Sequence, residues 1–455
     1  MARRLPSPAS AGEGGPQGRV RANGLRSDEG ANSVRLPSPQ PLSRRERGLN
    51  RRQEHAVQFP QFLPDWPPAP DGFFYVAIAL AAAALIGEVL FRLLRMPRIA
   101  GYALVGLVAG AVDIPVDVLR HLDALRIIVD IGLALLLFEL GSRVSLRWLR
   151  ANPWLLLSSL LETALTVAAV YALLHFCGYK LPVILAVSSI AACTSPAAVL
   201  WVTAESGARG QITERLLLHT ALNAMYVLLG SKLAIAYMLQ QFRGDVLTAA
   251  LLPIYLVSGS FLLAVVMAQG VRFLNRRFDL RNQQGAVLLF ALLLVVISVV
   301  TLAKLSTLLV PLLAGILLRH MSDRPLLWPR HFGTAGAVLV MLMFVLTNMS
   351  LHVSALMLGG FVGFAVLGVR LLAKVGGVLL MSLPSGITLK QGLALGLALT
   401  PMSGLAFAIA FDFQELFPAL YVQAGLVIFG AMAVLELVGP ILTRQALRWV
   451  DEIGT

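Results

Sequence analysis

The stretches AACTSPAAVL at residues 191–200 and LALTPMSGLA at residues 397–406 decide the fold. Each lies inside a long apolar segment and places hydroxyl side chains beside a proline in the middle of that segment. Because proline removes a helical hydrogen bond and clashes with the preceding turn, both segments are predicted to be broken helices. Backbone groups freed in this way need a partner or a polar cavity wherever lipid surrounds them. Two such breaks in one chain therefore need a common explanation.

The composition indicates an integral membrane protein. Of the 455 residues, 57% are hydrophobic and 13% are charged, whereas soluble chains carry roughly a quarter charged residues. We predict an all-α polytopic membrane protein with about 13 transmembrane helices, because each apolar block is long enough to cross roughly 30 Å of hydrocarbon. The membrane domain covers 71–445 and a short cytoplasmic C-terminus covers 446–455. The predicted spans are 73–94, 98–117, 124–141, 152–176, 181–203, 213–239, 247–271, 284–301, 302–319, 333–352, 353–376, 391–410 and 419–443.

Positive charge alternates between successive connections and predicts the orientation. Past residue 70 there are 26 Lys and Arg, of which 18 lie in every second connection and five in the connections between them. Short cytoplasmic loops are enriched in Lys and Arg, so the first set is predicted to face the cytoplasm. Thirteen spans then place the N-terminus outside and the C-terminus inside a bacterial-type inner membrane. This distribution fits a membrane protein better than a nucleic-acid-binding one.

Residues 1–70 form an Arg- and Pro-rich tail that differs from the rest of the chain. They hold eleven of the 24 prolines and eleven arginines, and RLPSP occurs twice. Such a composition buries too little apolar surface to offset its ordering entropy, so disorder is predicted. The basic tail conflicts with the external N-terminus that the loops predict. Either a long tail is exempt from the charge rule, or the natural start lies later, for instance at Val57; the second interpretation is favoured.

The two breaks predict a site at the membrane midplane. Interrupted helices in corresponding positions of two halves are the best sequence indication of a transporter's binding site, because unwound carbonyls and hydroxyls coordinate ions there. The hydroxyls are those of Thr194, Ser195, Thr400 and Ser403, and Pro196 and Pro401 mark the helix breaks. The alternative is a pair of packing kinks, which are common in membrane helices.

Several segments resemble known antiporters. The segment TSPAAVLWVTAESGARGQITERLLLHTALN (194–223) resembles the fifth and sixth spans of monovalent cation:proton antiporters, and most of all the Kef-type cation:proton antiporter-2 family. Similar resemblances, in the family's order, are seen in LRMPRIAGYALVGLVAG, LALLLFELGSRVSLRWLR, LSTLLVPLLAGILLR and QGLALGLALTPMSGLAFAIA. The resemblance covers roughly 75–445. It implies an inverted-repeat sodium/proton-antiporter fold with two broken, crossing helices and a separate panel that forms a homodimer.

The sequence departs from this family at the residue expected to couple the ions. In the family, an aspartate that directly follows Asn, Gln or Asp in the sixth span is thought to exchange cation for proton. Here Asn223 is followed by Ala224, and Ser195 stands where some related exchangers have aspartate. The resemblance therefore does not carry the coupling mechanism over to this chain, although Asn223 remains a predicted binding residue.

Ionisable groups within spans are costly and by default indicate function. Glu162 and Asp130 are the predicted proton-coupling residues, and Glu162 is preferred because it is a mid-helix carboxyl with no charged helical neighbour. Its predicted charge partner is Lys232, Arg370 or Lys374. The alternative is a purely structural ion pair that holds the fourth span to the core.

Two function classes follow. The first is a secondary transporter that exchanges Na+ or K+ for H+ by means of a relocated carboxylate. The second is a protein of the same fold without proton coupling: a passive pathway, a carrier of another solute or a regulatory subunit. The chain has no nucleotide-binding glycine motif and no Cys/His metal spacing. An enzyme, a cofactor and a metal centre are therefore not predicted, and Cys177 and Cys193 are predicted to be packing residues.

Overall fold

The computed structural model describes residues 72–111, 122–243, 246–278, 283–321, 330–351 and 353–454. The predicted tail and the end of the second predicted span (112–117) lie outside these ranges. Every regular element in the described residues is a helix. Those up to residue 243 are α1 Gly72–Leu94, α2 Arg98–Ala111, α3 Leu122–Arg143, α4 Leu146–Ala151, α5 Pro153–Phe176, α6 Leu181–Ala191, α7 Pro196–Glu205 and α8 Gln211–Arg243.

The later helices follow the same order of long and broken elements. The helices are α9 Val246–Arg277, α10 Gln283–Leu302, α11 Leu309–Met321, α12 Arg330–Met349, α13 Val353–Leu380, α14 Leu389–Ala398, α15 Gly404–Leu416 and α16 Pro418–Trp449. The fifth predicted span is thus two half-helices, α6 and α7, and the twelfth is α14 and α15. The prediction of two broken helices is confirmed.

Seven stretches of the described residues are long and apolar enough to cross a membrane, and four shorter apolar helices accompany them. They differ in how much surface they bury. Only 22% of the apolar window in α1 is buried, whereas the broken pair α6–α7 buries 89% of its window. In a membrane protein the exposed apolar side chains of α1 and α9, such as Leu85 and Leu262, are suited to lipid contact. The broken helices lie in the interior. The count of thirteen spans stays a prediction.

Two predicted boundaries differ from the structure. The ninth predicted span began at residue 302, but α11 begins at Leu309, because Lys304 adopts a left-handed φ of 51° and a turn follows. The eleventh predicted span is one apolar run, but α13 is interrupted at Gly360, whose φ is 54°. A hydropathy pattern does not distinguish such turns from continuous helix.

The packing places the broken helices among four long ones. Helices α5 and α8 pack against α6, while α13 and α16 pack against α14. A smaller apolar cluster joins α3, α9, α10 and α11. Helices α5 and α13 come especially close at Gly377, where a Cβ atom would lie 2.6 Å from Glu162 Cα. Glycine at this position therefore allows the two helices to bring their charged side chains together.

Candidate functional site

The two unwound segments begin and end differently. In the first, residues 192–195 separate α6 from α7. Pro196 is the first residue of α7, a position whose N–H group would have no partner within the helix, so proline costs no hydrogen bond there. Ser195 caps α7 by accepting a hydrogen bond from the N–H group of Ala198 at 3.1 Å. In the second, residues 399–403 separate α14 from α15, and Pro401 lies within this non-helical segment. Pro196 therefore ends the first break rather than lying inside it.

The two segments cross in direct contact. The N–H group of Ser195 donates to the carbonyl oxygen of Pro401 at 2.9 Å. The Thr194 hydroxyl donates to the carbonyl of Leu399 at 3.2 Å, and the hydroxyls of Ser195 and Ser403 are hydrogen-bonded to each other. Thr400 lies between them and is fully buried. The structure thus brings together the four hydroxyl residues that the sequence singled out.

Asn223 connects α8 to the first break. Its Oδ1 accepts from the N–H group of Thr194 at 2.8 Å, and its Nδ2 donates to the carbonyl of Ala192 at 3.0 Å and to Thr163 Oγ1 at 2.9 Å. A buried amide satisfies unwound backbone in this way because it both donates and accepts. The Oδ1 atom of Asn223 thus uses one lone pair for Thr194 and keeps a second one as an acceptor. Ala224, beside it, is fully buried.

Arg370 connects the two breaks. Its guanidinium is 1% exposed and donates to three backbone carbonyls: Nε to Ala191 at 2.6 Å, Nη2 to Cys193 at 2.6 Å and Nη1 to Thr400 at 2.9 Å. Carbonyl groups at helix C-termini carry partial negative charge and lack helical partners. One side chain of α13 therefore stabilises the ends of both α6 and α14.

Lys374 lies one turn beyond Arg370 and forms a buried ion pair. Its Nζ contacts Glu162 Oε1 and donates to Thr194 Oγ1 at 2.9 Å. Glu162 and Lys374 are both 0% exposed. Glu162 Oε2 also accepts from the Thr163 hydroxyl at 3.2 Å. The ion pair therefore touches the first break directly, through Thr194.

One of the predicted charge partners, Lys232, lies elsewhere. Lys232 pairs with Asp412 of α15 at 2.6 Å, and both side chains are partly exposed. The option that Lys232 pairs with Glu162 is therefore wrong, because Lys374 holds that position. Asp130 is half-buried on α3, a helix that packs chiefly against α11 and α12.

Sequence reasoning missed several groups that contribute to the site. Thr163 joins Glu162 to Asn223, and its only signal was its place next to Glu162. The carbonyls of Ala191, Ala192 and Cys193 are backbone acceptors that no side-chain pattern reveals. Asp412 was missed because the twelfth predicted span ended at residue 410, whereas α15 continues to Leu416.

Chemically, the crossing offers neutral oxygen atoms beside fixed charge. Hydroxyl and carbonyl oxygens suit hard cations. The described residues contain no group of three or more His, Cys, Asp or Glu side chains that could hold a metal ion. Among the charged side chains described at the crossing, Arg370 and Lys374 are positive and Glu162 is negative. The charged side chains described at the crossing therefore leave one net positive charge.

Comparisons with known proteins bear on the fold and the family. The profile of the family described as "Sodium/hydrogen exchanger, transmembrane" matches residues 78–449. A stretch of 133 residues is 29% identical to the iron transporter MagA of Paramagnetospirillum magneticum (strain ATCC 700264 / AMB-1), and it covers 29% of this chain and 30% of that protein. The match thus spans less than a third of that relative.

Two solved structures share the architecture. The sodium proton antiporter MjNhaP1 from Methanocaldococcus jannaschii at pH 8 superposes with a TM-score of 0.64 and 17% identity, covering 84% of this chain and 99% of that one. An electron-microscopy map of MjNhaP1 gives a TM-score of 0.66 at 17% identity, with 84% and 98% covered. At 17% identity the structural similarity shows the fold alone. The predicted sodium/proton-antiporter fold is confirmed.

Proposed function

The chain belongs to the transmembrane sodium/hydrogen exchanger family, and we propose that it exchanges a monovalent cation, Na+ or K+, for H+ across the membrane. It is a multi-pass membrane protein. The observation that carries the proposal is the buried Glu162–Lys374 ion pair, which contacts Thr194 where the two unwound segments cross. The Kef-type assignment remains a prediction, since the matching profile describes the wider family.

The pair offers a way to exchange charge without the aspartate that Ala224 replaces. A cation that enters beside Glu162 takes the place of the Lys374 ammonium, and Lys374 then releases one proton to the water on the open side. Charge at the pair is unchanged, because one positive charge replaces another. The oxygens of Thr194, Ser195, Asn223, Thr400 and Ser403 would complete the coordination of the cation. Glu162 thus supplies the negative charge, and the proton resides on its partner.

Vesicles containing the purified protein and a pH-sensitive dye test this function. Na+, K+ and Li+ are added in turn, and Fe2+ is added as a further arm because of the partial similarity to an iron transporter. We expect a monovalent cation to change the internal pH. Glu162→Gln should abolish the change, whereas Lys232→Gln, which removes a lysine from a partly exposed ion pair, should leave it intact.

The uncoupled function remains the second candidate, and one observation favours it. Glu162 is already neutralised by Lys374, and position 224 holds a buried alanine. A passive pathway or a carrier of another solute would need no titrating group at the crossing. Cation movement without a change in pH, or no cation movement at all in folded protein, would support this candidate and overturn exchange.

We also propose that the protein is a homodimer in a bacterial-type inner membrane, with the N-terminus outside and the C-terminus in the cytoplasm. The family resemblance supports the dimer, and the alternation of Lys and Arg between connections supports the orientation. Cross-linking in native membranes and protease accessibility of the two termini test these statements.

A further inference from the structure

Glu436 is a buried carboxyl group that the proposed exchange does not use. It lies in α16 with 1% of its surface exposed. Neither of its carboxyl oxygens forms a hydrogen bond of normal length and angle among the described residues. A buried ionised carboxylate with no donor is among the most costly groups a protein can hold. Glu436 therefore needs either a proton or a bound cation.

Within the described ranges, Asn348 of α12 is the polar side chain close enough to interact with Glu436. Its Nδ2 donates to the carbonyl of Phe344 at 2.7 Å, while its buried Oδ1 has no donor. Turning the amide over would place Oδ1 against the Phe344 carbonyl, which is also an acceptor. The carboxyl of Glu436 and Oδ1 of Asn348 are thus acceptors that lack a hydrogen. One proton on Glu436 supplies it.

Charged groups on the neighbouring helices are engaged elsewhere. Those on the helices packed against α16 have other partners or are exposed to the surface. On α13, Arg370 bonds the carbonyls of the two breaks and Lys374 pairs with Glu162. Arg98 of α2 pairs with Glu205 of α7, and Asp412 of α15 pairs with Lys232. Lys390 of α14 lies over the ring of Trp449, and Glu415 of α15 is exposed. None of these groups forms a hydrogen bond with the carboxyl oxygens of Glu436.

The face of α16 that carries Glu436 also contacts the second break. At Gly439, almost one turn further, a Cβ atom would lie 2.6 Å from Pro401 Cα, so only glycine allows this approach. Thr443, a further turn along, donates to the carbonyl of Ala398 at 3.0 Å. A movement of the second break would therefore reach the surroundings of Glu436.

We propose that Glu436 is a proton-binding site of the transport cycle, in which the neutral acid donates its hydrogen to Asn348 Oδ1 and releases the proton to water when the second break opens. This inference rests on the proposed exchange. It gives the chain a titrating carboxyl group in the thirteenth predicted span, whereas members of the resembled family carry theirs in the sixth. The hydrogen bond to Asn348 holds the proton while the site is closed.

Infrared difference spectroscopy of the full-length protein tests the proton directly and needs no transport. Spectra taken at acidic and alkaline pH should contain the C=O stretch of a protonated carboxyl group that shifts in D2O. Glu436→Gln should remove this band, while Glu415→Gln, at an exposed position on α15, should keep it. A band unchanged by Glu436→Gln would overturn the proposal. If the glutamine variant fails to fold, Glu436→Asp provides the second test, because it should keep a carboxyl band and move its frequency.

The vesicle assay tests the role of this proton in transport. Glu436→Gln should shift the pH profile of cation flux relative to wild type, because the amide keeps the shape but binds no proton, while Lys374 still releases one. A variant that lacks the infrared band yet retains the wild-type pH profile would show a structural proton only and would overturn the role in transport. Failure of the exchange function is recognised separately, because wild-type protein would then carry no proton-coupled flux while the infrared band remains.

Discussion

Glu162 and Lys374 are tolerated in the interior because each neutralises the other. Removing one member of a buried ion pair leaves an uncompensated charge and typically costs roughly 3–5 kcal/mol, whereas replacing both members by uncharged groups is often close to neutral. The same pair is therefore both a stabilising contact and the proposed exchange site. Separating these two roles needs a double substitution.

We predict that Glu162→Gln destabilises the protein by roughly 3–5 kcal/mol, because the Lys374 ammonium loses its counter-charge. Adding Lys374→Met should restore most of that stability and leave exchange abolished. Thermal unfolding in detergent, beside cation-dependent proton flux, measures both effects. If the double variant transports like wild type, the pair is structural and the exchange site lies elsewhere.

Position 224 offers the complementary gain of function. Ala224→Asp would place a carboxylate beside Asn223, in a crossing whose described charges are two positive and one negative. We expect a lower cation concentration for half-maximal flux, because the added negative charge attracts the cation. Ala224→Asn, which has the same size without the charge, is the control. Equal effects of both substitutions would mean that side-chain volume, and not charge, changes the site.

At the level of the helices, α13 supports both broken elements through Arg370. Three carbonyl groups from two half-helices depend on one guanidinium, whose fork places several donors in fixed directions. The three donors of a lysine ammonium share one nitrogen, so they are less suited to three acceptors on two half-helices. Arg370 is therefore expected to determine how the half-helices sit against each other.

We predict that Arg370→Lys lowers stability by roughly 1–3 kcal/mol for each carbonyl left without a donor, and that Arg370→Met lowers it further. Hydrogen exchange of the α6 and α14 amides should rise in both variants. Arg276→Lys, at an exposed position near the end of α9, serves as the control. Unchanged exchange rates would show that the crossing is held by the contacts between the segments alone.

The helix breaks and their hydroxyls could be predicted from sequence because proline and a polar run inside an apolar block have a local cause. The partners could not. Glu162 and Lys374 are 212 positions apart and Lys232 and Asp412 are 180 apart, so the choice among three basic residues depended on how the helices pack. The three carbonyls bound by Arg370 belong to the backbone and leave no trace in residue type.

Across the whole molecule, the turn between α1 and α2 is joined to the half-helix α7 and to the end of α16. Arg98 pairs with Glu205 at 2.7 Å and with Glu88 at 2.8 Å, and Arg444 donates to the carbonyl of Arg95. These contacts anchor the first helices to the broken-helix region by polar groups.

We predict that a chain beginning at Val57 inserts and folds like the full-length protein, because the Arg- and Pro-rich tail has no apolar face to pack. Expression in membranes and the melting temperature in detergent should match those of the full chain. A fall in either one would show that the tail contributes to insertion or stability.

Cys193 can be labelled chemically to detect opening of the crossing. Only two cysteines are present in the chain; Cys177 is exposed at the end of α5, while Cys193 lies buried in the first unwound segment. With Cys177→Ser, a maleimide can therefore label a single native atom, at the crossing. Labelling should be negligible while the segments are in contact, and should appear from one side of the membrane or the other as the crossing opens. Maleimide applied inside can be compared with maleimide applied outside, each with and without the cation. The side from which Cys193 is labelled shows the side to which the crossing opens, without any change to the site itself.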